Sequence, residues 1–228
     1  MKKIVIFFIS LFLILGFFFD KKIIETVLTK NLSNKINFKV NFKINKIKYF
    51  SQQIEILDLE IKNKKNYFNE NIFEVSKVLI DYNLASIFTD LVVIKSVFLV
   101  EPKFYFEILD DEAKRNQKEN LKDNIDLIKT INEQNPQIYP KKNKDKNFII
   151  NNVKINNSIA YIKAPQNKKN MEINLSNMSF QNIGNANKNK LKKVQHFKDT
   201  FKIILMDIYF KIPNQNLKEL LKKNYKIN

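Results

Sequence analysis

The chain runs to 228 residues with a formal charge of +17, and 44% of its residues are apolar against 28% charged. With no cysteine, and His196 as the only histidine, it has no disulfide framework, thiolate or His-cluster metal site or cysteine nucleophile, and almost nothing is left for a Ser-His-acid triad. Gly16 and Gly184 are the only glycines, so neither a P-loop nor a GxGxxG fingerprint can be written, and most familiar enzyme chemistries are excluded.

The charge is almost all lysine. Arg115 is the only arginine among 40 basic residues, and the lysines are spread along the chain without a basic block. Arginine grips guanine edges and phosphates bidentately, a geometry lysine cannot reproduce. The expected partner is therefore not nucleic acid but an anionic membrane surface.

Residues 4–19 read IVIFFISLFLILGFFF, with Ser10 and Gly16 as the only interruptions. As a helix this run, which includes Ile4, Phe7, Leu11, Ile14 and Phe18, is about 24 Å long, somewhat short of a hydrocarbon core of about 30 Å. Lys2, Lys3, Lys21 and Lys22 can snorkel to make up the difference. Lys2 and Lys3 also fit the n-region of a cleaved signal peptide, but no small-x-small site follows Phe19. The reading is an uncleaved anchor over residues 1–22, with one span at 4–19 and an exported body at 23–228. Flanking charge leans the other way, since Lys21, Lys22, Lys30 and Lys35 outnumber Lys2 and Lys3, yet long domains translocate largely regardless of charge.

Behind the anchor, Ile23, Ile24, Val27, Leu28 and Leu32 fall at helical spacing. This short helix either packs on the following sheet or lies on the membrane. From Ile36 the period switches to two, with Ile36, Phe38, Val40, Phe42 and Ile44 alternating against Asn and Lys, as in a half-exposed antiparallel strand. A second alternating run puts Phe98, Val100, Phe104, Phe106 and Ile108 on one face, with Lys95, Glu101, Lys103 and Glu107 on the other. That apolar face is the candidate functional surface, either a sealed core or the floor of a lipid groove. Further β-like runs lie near 54–62, 73–82, 148–163 and 171–181. Several change phase midway: Ile44 to Ile47, Ile56 to Leu59, and Leu175 to Met178. A one-residue slip of this kind is what a bulge produces.

Two stretches interrupt the sheet. Residues 109–147 form a polar insertion, with Leu121, Ile125 and Ile128 predicting one short helix that Pro136 and Pro140 prevent from continuing. Its opening trio Asp110, Asp111 and Glu112 reads as a solvated loop or helix start and not a magnesium site, because no further ligand cluster follows. No metal or other cofactor is expected. At the C-terminus, Leu191, Val194, Phe197, Phe201, Ile204, Leu205 and Ile208 predict one long amphipathic helix ending before Pro213, and Leu217, Leu220 and Leu221 a shorter one. His196 lies beside this stripe as a structural or incidental residue. The fold class is α+β: an N-terminal transmembrane helix, a curved antiparallel β-sheet or groove with short helices, and a long C-terminal amphipathic helix.

The order of elements resembles the AsmA-like family. Its marks here are the strand Ile54 to Ile61, the step Val78, Ile80, Asp81, Tyr82, and the one-turn helix Leu84 to Phe88. The end Pro102, Phe104, Phe106, Glu107, the hairpin FIINNVKINNSIAYI and the step Asn182, Ile183, Gly184 also belong to it. The resemblance implies a non-enzymatic, single-span inner-membrane protein with its bulk in the periplasm, serving envelope and outer-membrane lipid homeostasis. It implies a phospholipid as the ligand of a β-groove and leaves protein partners unspecified. At five to seven strands spaced by about 4.8 Å, such a groove is only about 24–34 Å across, too short to span the periplasm, so lipid would be held or presented locally. A second reading is a single-span bridge or scaffold subunit of a lipopolysaccharide- or envelope-export complex, against which the long C-terminal helix argues. An envelope hydrolase lacks a nucleophile-base pair.

Overall fold

The computed structural model describes residues 21–63, 68–108, 147–164, 170–184, 195 and 197–225. The run 4–19, the insertion from 109 to 146 and His196 lie outside them. Among the described residues, no helix is long and apolar enough to cross a membrane.

Helix α1 (Lys21–Ile36) is followed by β1 (Val40–Lys48), β2 (Gln53–Lys62) and β3 (Asn71–Tyr82). A 3-10 turn (Leu84–Phe88) leads into β4 (Leu91–Val100) and β5 (Lys103–Glu107). Strands β6 (Asn147–Asn156), β7 (Ile159–Lys163), β8 (Met171–Asn174) and β9 (Met178–Gly184) complete one nine-stranded sheet, and α2 (Phe197–Lys211) and α3 (Gln215–Tyr225) follow. The protein is α+β, as its patterning predicts, but the sheet is mixed and not antiparallel. Strand β4 pairs β6 in parallel, and β5 pairs β7 in parallel. The cause is the insertion: β5 ends at Glu107, while β6 begins beside Leu91, at the other end of the β4–β5 line. A long connection brings the chain back to start again in the same direction, as parallel pairing requires.

The structure makes two local corrections. Ile36 ends α1 and does not begin a strand, because Asn37 turns the backbone at φ 57°. The run 148–163 is no hairpin: β6 and β7 point the same way and keep one offset from β4 and β5 (Val100 opposite Asn156, then Lys103 opposite Ile159). The C-terminal stripe forms two helices parted around Pro213, as its spacing predicts, with Leu191 and Val194 outside the described residues and Asn214 Oδ1 accepting from Leu217 N at 3.1 Å as the cap of α3.

The sheet is better understood as six long strand lines crossed by a row of breaks. Ile44, Ile56, Val78, Leu99, Ile155 and Met178 form one rung, each opposite the next. Val40, Ile61, Phe73, Phe104, Ala160 and Ile173 form another. In five of the six lines the two rungs are five residues apart (Leu99 to Phe104, for instance), an odd number that would put them on opposite faces of a regular strand. Yet Ile155, Ala160 and Ile173 lie in one buried core, with Leu99, Phe104 and Met178 packed against it. Each of these lines therefore slips by one residue between the rungs. The slip falls at Asp58 in β2, at Glu101 before β5 and at Asn157 before β7, which take φ of 51°, 53° and 53°. Left-handed backbone is tolerated best by Gly, then by Asn and Asp, so Glu101 is the unusual member.

The main core lies where α2 and α3 cover β5–β9. Ile204, Leu205, Ile208, Ile212, Leu217 and Leu221 pack there onto Phe106, Ile108, Ile162 and Phe180. Asp207 and Lys211 fix α2 at the slip between β8 and β9: Ser176 N donates to Asp207 Oδ2 at 2.8 Å, and Lys211 Nζ to Asn174 O at 3.0 Å. Burial works against ionising Asp207, but the Ser176 N–H and the Lys211 ammonium hold its carboxyl below the usual range. On the opposite side α1 runs antiparallel along the free edge of β1. There Val40 N donates to Ser33 Oγ at 2.9 Å, Ile44 N to Glu25 Oε2 at 2.9 Å, and Lys21 Nζ to Asn45 O at 2.8 Å. These side chains occupy edge groups that would otherwise invite another strand. Ile24 and Ile36 complete the seat against Val40, Phe42 and Ile44.

Candidate functional site

The one-residue slip at Glu101 divides the candidate surface. Phe104, Phe106 and Ile108 lie on the apolar, helix-bearing face. Phe98 and Val100 lie on the other, where Phe98 shares a rung with Glu55, Leu79, Lys154 and Ser179, and Val100 with Leu57, Lys77 and Asn156. That second face is mixed: Ile149 is buried there against Leu91 and Val93, while Gln53 Nε2 and Ser96 Oγ donate to Asp81 at 2.9 and 2.5 Å and Lys77 pairs with Glu55 at 3.6 Å. Tyr105 and Tyr161 stack there with centroids 5.1 Å apart, and the Tyr105 hydroxyl donates to Glu74 Oε2 at 3.0 Å. Burial first, and then the carboxylate it faces, push the Tyr105 hydroxyl above its ordinary range. Even numbering from 98 to 108 hid the division, because the slip restores parity only on paper.

The three residues left on the apolar face do not share one environment. Ile108 is sealed, and Phe106 is 5% exposed, with rings of Phe201 and Tyr225 at 6.4 and 5.5 Å. Phe104 keeps part of its surface in solvent and meets Phe73 at 5.2 Å. It belongs to a strip on β2–β5 between the seat of α1 and that of α2–α3. Ile56, Ile61, Phe73, Ile80, Leu99 and Phe104 in this strip are all half-buried. Each flanking helix also exposes apolar residues: Leu28 and Leu32 on α1, and Ile203 and Phe210 on α2. Periodicity marks these residues as apolar; only the placement of the helices separates sealed from half-open positions.

A concavity of about 560 Å³ lies along the row of slips, lined by Phe42, Leu59 and Val75 and by Glu25, Lys43, Asp58, Glu60, Glu74, Glu101 and Lys103. Three of its carboxylates are engaged within the fold. Glu25 accepts from the β1 backbone, Asp58 pairs Lys43 at 3.4 Å, and Glu74 accepts from Asn71 and Tyr105 and pairs Lys103 at 4.0 Å. Among the described residues no group of three or more His, Cys, Asp or Glu could hold a metal ion. Sequence reasoning passed over this row, although the phase changes at Ile56–Leu59 and Leu175–Met178 were its trace.

The polar residue that closes the Pro102–Glu107 motif has a structural place. Glu107 accepts from Asn69 N at 2.8 Å, and its own carbonyl accepts from the Tyr225 hydroxyl at 3.3 Å. It ties the β2–β3 turn to the end of β5 and to α3. Burial raises its carboxyl's pKa, against the pull of Asn69, Phe68 and Lys163.

The chain matches no family model and shows no significant similarity to a curated protein or to a solved structure.

Proposed function

We propose that this is a non-enzymatic, membrane-tethered protein of the bacterial envelope that holds a phospholipid acyl chain along the half-buried strip of its sheet. In this reading residues 4–19 anchor the chain in the inner membrane, and the body works in the periplasm. The observation that carries it is the strip Ile56, Ile61, Phe73, Ile80, Leu99 and Phe104, apolar side chains left half-buried around the sealed Val75 and Val78 and between two helical walls. Ligand sites of this kind are mostly apolar, and an acyl chain needs no polar partner along its length. The lysine-rich surface would favour an anionic headgroup.

The experiment is mass spectrometry of lipids that co-purify with the full chain extracted from membranes, compared with Phe73→Gln. Phe73 is half-buried, so the polar amide should leave the circular dichroism spectrum unchanged while removing the bound phospholipid. Wild-type protein free of phospholipid, or a folded variant carrying as much as wild type, would overturn the proposal.

A further inference from the structure

We propose that the end of the sheet where α1 begins is a bilayer-docking surface, with Phe50 and Phe88 entering the headgroup–acyl boundary of an anionic membrane. The inference deepens the membrane-tethered reading and rests on it for the direction in which the body faces the bilayer.

Two turns form the β1–β4 part of this end, beside the start of β6, whose Asn147 N donates to Asp90 O at 3.1 Å. The first joins β1 to β2 at 49–52, and the second carries the chain from β3 through the 3-10 turn to β4. They are bonded to each other through Gln52, whose carbonyl accepts from Tyr82 N at 2.9 Å and whose side-chain oxygen accepts from Leu84 N at 3.2 Å. Their centres lie about two strand spacings, or about 10 Å, apart. Each carries a phenylalanine projecting from the body. Phe50 is 100% exposed and Phe88 67%, and Tyr49 beside Phe50 is 47% exposed. Single exposed apolar residues are ordinary, but two phenylalanines on two joined turns make one apolar tip.

Charge and chain direction identify the occupant. Lys21, Lys22, Lys46, Lys48 and Lys95 are exposed at this end, against Asp90 as the exposed carboxylate of the two turns. Lys21 is held to it by its bond to Asn45 O, so the peptide preceding α1, and with it the apolar run 4–19, joins the body here. Aromatic side chains surrounded by lysines suit the interface of an anionic bilayer, where rings sit among the headgroups and ammonium groups meet lipid phosphates. A tether and a tip at one end would hold the strand lines upright on the membrane, with the strip opening toward it.

The chain has no tryptophan, so one introduced ring reports its own surroundings. The test places Phe50→Trp in the full chain, reconstituted into phosphatidylcholine vesicles with and without phosphatidylglycerol, and reads quenching by bromine-labelled lipid. Phe68→Trp is the control, since Phe68 is 61% exposed on the β2–β3 turn at the opposite end of the strands. Docking predicts a blue-shifted emission from the Phe50→Trp protein, quenched several-fold more than that of the control, with the excess falling when phosphatidylglycerol is omitted or salt is raised. Equal, water-like emission from both variants would overturn the proposal, as would quenching of the Phe50→Trp protein that is indifferent to anionic lipid. Alkaline extraction of the same vesicles reads the anchor separately. Protein that resists extraction while its introduced indole stays unquenched refutes docking and leaves the anchor standing; extractable protein with a quenched indole does the reverse. Phe50 is fully exposed, so unchanged circular dichroism is expected of its variant.

Discussion

Truncating Phe106 and Phe98 tests the slip at Glu101 directly. On an unbroken strand the two rings, eight residues apart, would share a face and a fate. In the folded protein Phe106 is 5% exposed beneath α2 and α3 and in ring contact with Phe201 and Tyr225, so Phe106→Ala removes a sealed ring and leaves a cavity. Such truncations cost about 3–5 kcal/mol. Phe98 lies half-buried among Leu79, Lys154 and the polar residues of the other face, where water can refill the vacated space. Phe98→Ala then loses only part of the roughly 1.5–3 kcal/mol of a fully buried side chain, about 1 kcal/mol. Urea unfolding of the full chain in detergent, followed by circular dichroism, should separate the variants by about 2 kcal/mol or more at unchanged slope. Equal destabilisation would mean that both rings occupy one face, and the division of the strand would be wrong.

Gly184→Ala should destabilise by at least about 2 kcal/mol, because the added methyl meets Phe148 O at 2.2 Å and Ile149 Cα at 3.0 Å, backbone atoms that cannot swing aside; a thermal melt within a degree of wild type would contradict the pairing of β6 with β9. Glu107→Gln should keep the acceptor for Asn69 N, whereas Glu107→Ala should cost about 1–3 kcal/mol by orphaning it. Because burial raises the Glu107 pKa from its ordinary 4.5, the folded chain holds this proton more tightly than the unfolded chain, and the wild type loses stability as pH rises from 4.5 through the raised value. Glu107→Gln removes that slope, so its melting temperature should gain on wild type between pH 4 and 7; Gln and Ala variants that track each other would refute the assignment.

Local pattern determined much of this protein. Alternation from Phe38 to Ile44, the β-like runs of β2 and β3 and the helical spacing in α2 and α3 are properties of neighbouring residues, and strands and helices form there. Even the slips left a trace, as phase changes beside Asp58 and before Met178. What periodicity could not supply was anything that depends on distant partners. The direction of β6 was decided by which end of β4 the chain reaches after a polar insertion, because the backbone of β6 can pair in either sense. The face of Phe98 was decided by a left-handed residue at Glu101, a type that seldom adopts that conformation and so gives no warning. The difference between Phe106, sealed, and Phe104, half-open, was decided by helices formed from residues nearly a hundred positions later, since burial belongs to the assembled layers and not to the strand.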